Sequence, residues 1–159
     1  QAGVNPHDEL SFEESAKIII SHVTRGIEMA KKNNLPEQIV DFIRTHHGTT
    51  VVRYFYHSHL KNYPDQKVEK EEFSYPGPLP FSKETAVLMM ADTVEAASRS
   101  LKEHTPEKMN ALVDKLIDYQ VDEDQFVNSN VTFKDITQIK KIFKKKLMEI
   151  YHARIEYPD

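Results

Sequence analysis

The side chains in this sequence that could carry chemistry are His22, the adjacent pair His46-His47, and Asp92. Three imidazoles and a carboxylate make a donor set suited to Zn, Fe, Mn or Ni rather than to Mg or Ca. The 159 residues contain no cysteine, which excludes thiolate metal sites, disulfides and cysteine nucleophiles. Neighbouring residues on a helix point about 100° apart and seldom share a partner. His46-His47, however, stand just before Gly48, where the backbone can turn and aim both rings inward. One buried and one exposed ring is the ordinary alternative. His22 lies one turn from Ile18 and Ile19, on the flank of an apolar stripe, where a satisfied core histidine is the alternative. Asp92 sits in the run AVLMMADTVEAA, with Glu95 at i+3 and Arg99 at i+7. A carboxylate on a buried face is costly unless it is paired or holds a metal, so the alternative there is a structural contact with Arg99. No HExxH, CxxC, Walker, dinucleotide or GxSxG motif is present. His57 and His59, at i and i+2, read as surface residues, as do the isolated His7, His104 and His152. The basic run Lys140, Lys141, Lys144, Lys145 and Lys146 reads as a solvated helix face.

The elements that must position these residues are helical. Ser11 and Glu14 form a capping box ahead of a helix over 11–32, whose stripe is Phe12, Ala16, Ile19, Val23, Ile27 and Ala30. Asn33-Asn34 ends it. A second helix starts at Pro36 and runs through Ile39, Ile43 and His46, with Gly48 as its C-terminal cap. A third, short helix is expected from Thr49 to about Lys61. Residues 62–81 hold four prolines and a charged run, and read as a loop long enough to be a functional or mobile excursion. Ser82 caps a helix to about Leu101, and Thr105-Pro106 start another to about Tyr119. Residues 120–131 make an acidic turn. Thr132 with Asp135 caps a last helix to about Tyr151. The pattern predicts one all-α domain over 1–159, a bundle of about six helices.

Composition narrows the function classes. Acids outnumber bases 25 to 21, so no global basic field points to a nucleic acid polymer. The longest apolar stretch, residues 86–91, is far short of the ~20 residues of a membrane span. The first residues show neither the basic nor the apolar region of a signal peptide.

The stretches NPHDELSFEESAKIIISHV, FIRTHHGTT, YPGPLPFSKETAVLMMADTVEAASRSL and ARIEYP together resemble the C-terminal part of the HD-type phosphohydrolase domain of the seven-transmembrane-receptor HD proteins. The likeness covers nearly the whole chain and is weakest over 60–72 and 105–130. The Glu that follows the His pair in the cyclic di-GMP enzymes of the HD-GYP type is replaced by Gly-Thr, and GYP is missing. The resemblance implies an HD-domain helical bundle, truncated at its N-terminus, from a membrane-anchored bacterial phosphodiesterase that hydrolyses cyclic di-AMP to pApA with a metal-activated hydroxide. It implies two divalent ions, Mn or Fe, in the complete domain. His22, His46 and His47 match ligands of one ion, and Asp92 matches a ligand of the other. The family's upstream His and His-Asp doublet have no counterpart, since His7-Asp8 falls in the loop after the doublet. The chain alone is therefore expected to hold at most one ion and to be inactive. Thr49, Thr50, Arg53 and Arg99 are expected to contact a cyclic dinucleotide, and Tyr56, Tyr75 or Phe81 to stack on a base. The expected location is the cytoplasmic side of a bacterial inner membrane, reached only through segments this chain lacks, with a homodimer left open. A non-catalytic helical signalling module and a hydrolase of another nucleotide phosphoester are the competing readings.

Overall fold

The computed structural model describes residues 10–152. His7, the side chain of His152 and the ARIEYP stretch lie outside the described residues. The chain divides into two compact units, 1–78 and 79–159. Among the described residues there are six α-helices, one 3-10 turn and no named strand.

The first unit is built on α1 (Phe12–Lys32), α2 (Glu37–Thr45) and α3 (Arg53–Asn62). α1 starts where the capping box places it: the Ser11 hydroxyl accepts from the Glu14 N–H and the Glu14 carboxylate accepts from the Ser11 N–H. Its stripe is buried at Ala16, Val23 and Ala30. Asn33 caps it, and Asn34 takes the left-handed conformation that turns the chain toward α2. α2 ends with His46 as its cap, and Gly48 supplies the positive φ of 50° that reverses the chain.

α3 begins at Arg53 rather than Thr49. The run Thr49-Thr50-Val51-Val52 is β-branched throughout, and such residues favour extended backbone. Here they make a short antiparallel pairing. Val51 bridges Ser74, the Val52 N–H donates to the Phe73 carbonyl at 2.7 Å, and the Tyr75 N–H donates to the Thr50 carbonyl at 2.9 Å. The loop is thus anchored at its middle. It carries a 3-10 turn, Lys70–Phe73, and drives Phe73 to full burial beside Ala16 and Phe55.

His59 is buried, not a surface residue. It shares the α3 face of Phe55 at i+4, and its Nδ1 lies 2.7 Å from Glu13 Oε1 on α1. The ring and the carboxylate approach there without an aligned hydrogen bond. His57 is exposed as expected.

The second unit packs α4 (Lys83–Ser98), α5 (Pro106–Asp122) and α6 (Phe133–His152) around Met89, Met90, Met109, Val113 and Ile117. The caps at Ser82, Thr105 and Thr132 form as expected. α5 runs on past Tyr119 because Gln120 continues the buried stripe, its amide donating to Thr93 Oγ1 at 2.8 Å. The basic run on α6 is not uniformly solvated: Lys140 reaches Asp118 at 2.5 Å and Lys144 reaches Asp114 at 2.6 Å, while Lys141, Lys145 and Lys146 are exposed. His104 is not an isolated surface group either. Its ring stacks on Tyr151 at 3.7 Å, and its Nε2 lies 3.0 Å from the Ser98 carbonyl.

Candidate metal centre

The first unit brings His22, His46 and His47 together. α1 carries His22, the C-terminal cap of α2 is His46, and the turn before Gly48 presents His47. One ring nitrogen from each lies within 4.8 Å of the others. The ring centroids are 5.3, 5.0 and 4.0 Å apart for the pairs 22–46, 22–47 and 46–47.

Two of the rings are fixed by the same local device. His22 Nδ1 lies 2.5 Å from the carbonyl of Ile19, and His46 Nδ1 lies 2.6 Å from the carbonyl of Ile43, each three residues back. A carbonyl only accepts, so each Nδ1 carries a proton, and in the neutral form of either ring the lone pair lies on Nε2. Those two Nε2 atoms face one another at 3.1 Å. Two lone pairs do not sit at that distance without a proton or a cation between them. A separation of 3.1 Å is also what two nitrogens adopt around one ion at bond lengths of roughly 2.0–2.1 Å. The donor set and its geometry therefore fit a transition-metal ion. Carbonyl partners on the far ring nitrogens are the outer-shell bonds that orient such ligands.

His47 is set up electrostatically. Burial, then the proximity of His46 and His22, pushes its pKa down to about 3, so the ring is neutral near neutral pH. A neutral ring is what a metal requires. The sign for stability follows. The metal-free folded state resists protonation of His47, whereas in the unfolded chain the ring protonates near the ordinary histidine value of 6.5. Its contribution is complete above pH ~6.5 and is lost as the pH falls toward 3. In EDTA, urea midpoints should thus report a loss of about 1–2 kcal/mol between pH 6.5 and 5, and His47→Gln should flatten that slope. An unchanged slope in the variant would place the acid sensitivity elsewhere.

The remaining expected residues belong to several elements of the two units. Thr50 donates its hydroxyl to the His47 carbonyl at 2.7 Å and its N–H to the same carbonyl at 3.0 Å, which fixes the turn. Thr49 and Arg53 are exposed, Arg53 in the first turn of α3. Asp92 is half-buried on α4 of the second unit, and Arg99 at the end of that helix is engaged by Glu95. Tyr56 packs on Phe73, and Phe81 is exposed. Tyr75 is buried, with its ring stacked on His47 at 4.3 Å and 23°. No sequence signal placed it there, because 28 residues separate the two.

No protein-family model matches the chain. It is 43% identical over 155 residues to the cyclic-di-AMP phosphodiesterase PgpH of Bacillus subtilis, and 40% identical over 157 residues to that of Listeria monocytogenes. These alignments cover 98% and 99% of this chain, which spans 22% of each relative. Among solved structures it is similar to the HD domain of L. monocytogenes PgpH in complex with cyclic-di-AMP, with a TM-score of 0.88 and 38% identity. That match covers 94% of this chain and 69% of the other.

Proposed function

Since the chain belongs to the PgpH family of HD-domain phosphodiesterases, we propose that it is the metal-holding part of a domain that hydrolyses cyclic di-AMP to the linear dinucleotide. The observation that carries this reading is the pair of Nε2 atoms of His22 and His46, 3.1 Å apart with both Nδ1 protons committed to carbonyls. His22, His46 and His47 hold one divalent ion, Mn or Fe. Asp92 serves a second ion, completed by residues outside this chain. The chemistry such ions supply when bound is Lewis-acid charge for the phosphoryl oxygens and acidification of water.

The chain's own residues do the rest. His22 and His46 present Nε2 in a fixed tautomer, and His47 stays neutral at working pH. Arg53 and Thr49, exposed beside the His47 turn, offer a cation and a hydroxyl to the anionic diester. Thr50 fixes the turn, and its share in substrate contact is through that geometry. Arg99 is the corresponding cation of the second unit. Among the described residues no helix is long and apolar enough to cross a membrane.

The test is Mn²⁺-dependent hydrolysis of cyclic di-AMP by this chain and by a version lengthened to match the solved HD domain. Product from the longer form alone is the expected result. No product from either, with metal bound and the fold intact, would turn the assignment toward another phosphoester.

A further inference from the structure

Tyr75 does not have the surroundings of a group that greets substrate. It is 8% exposed. Its ring lies nearly parallel to that of His47, 4.3 Å away and 23° inclined, and meets His22 edge-on at 5.9 Å. Its backbone is tied to the same turn. The Tyr75 N–H donates to the Thr50 carbonyl at 2.9 Å, and Thr50 in turn donates both its hydroxyl and its N–H to the His47 carbonyl. The loop segment and the histidine turn are thus held together twice, once through backbone and once through ring faces.

His22 and His46 have their Nδ1 atoms held by carbonyls of their own helices. His47 carries in addition an aromatic ring on its face, delivered from the loop. A planar neighbour at stacking distance restricts ring rotation. From this geometry we infer that Tyr75 is a positioning residue of the metal centre: its ring, not its hydroxyl, holds His47 in the orientation that binds metal. This rests on the reading of the trio as a metal site and extends it to the loop. It replaces the expectation that Tyr75 stacks on a substrate base.

The test is a Co²⁺ titration of the chain, followed by visible absorption, with no substrate present. Tyr75→Met keeps volume without a flat face, Tyr75→Phe keeps the ring without the hydroxyl, and Phe73→Leu serves as a control that loosens the same core without touching His47. The expected result is Co²⁺ binding about 10–100-fold weaker in Tyr75→Met, as for lost outer-shell support, and near wild type in Tyr75→Phe. Phe73→Leu should lower the urea midpoint and leave the affinity and spectrum alone. Equal losses in Tyr75→Phe and Tyr75→Met would overturn the role of the ring, and an unchanged affinity in Tyr75→Met would overturn the inference altogether. If Tyr75→Met does not fold, Tyr75→Leu decides: a tenfold or greater loss of Co²⁺ affinity supports the ring and wild-type affinity rejects it. Failure of the wild-type chain to bind Co²⁺ would instead remove the metal-centre reading beneath it.

Discussion

His46→Ala is expected to weaken divalent-metal binding by more than about a hundredfold, beyond the 10–100-fold typical of an outer-shell change, because it removes one of three ligands. In the lengthened protein, cyclic di-AMP hydrolysis should be lost with it. The same substitution should leave the metal-free fold nearly intact, within about 1 kcal/mol. The ring is only half-buried, so its removal leaves little of the core unfilled. That combination separates a ligand from a core histidine, whose loss would cost stability and leave affinity alone. Isothermal titration with Mn²⁺ beside urea unfolding in EDTA measures both. A wild-type affinity in His46→Ala would exclude His46 as a ligand.

Phe73→Ala should have the largest effect on stability, about 3–5 kcal/mol for a wholly buried aromatic ring. Phe73 closes the small core of the first unit with Ala16 and Phe55, and it holds the middle of the loop against α1 and α3. Among the described residues this cluster buries only Ala16, Phe55 and Phe73, so little is at hand to fill the space one ring leaves. Urea unfolding followed by tyrosine fluorescence reports the loss, since Tyr56 packs directly on Phe73. A loss under about 1 kcal/mol would show that the 3-10 turn is not the anchor of this segment.

What was legible in the sequence was mostly local. Ser11 with Glu14, Thr105-Pro106 and Thr132 with Asp135 mark helix starts because a cap acts within three residues, and each start lies where its cap put it. The all-α class followed from the stripes between the caps. The onset of α3 is not local: the β-branched run 49–52 is drawn out of the helix by a pairing partner at 73–75. His59 and His104 were read as surface because spacing does not say which face of a short helix packs inward, nor that Tyr151 lies over His104. For the site, the residue types suggested a transition metal, and the resemblance singled out the three histidines that the fold brings together. The carbonyl bonds that set their tautomers, and the ring of Tyr75 over His47, depend on distances no spacing encodes.

On the proposed reading an ion, not a shared proton, belongs between His22 and His46. Crystals of the Mn²⁺-loaded chain, measured at the manganese absorption edge, test it directly. The expected result is an anomalous peak within bonding distance of both Nε2 atoms and of a ring nitrogen of His47. Manganese found elsewhere, with the two Nε2 atoms still about 3.1 Å apart and hydrogen-bonded, would contradict it.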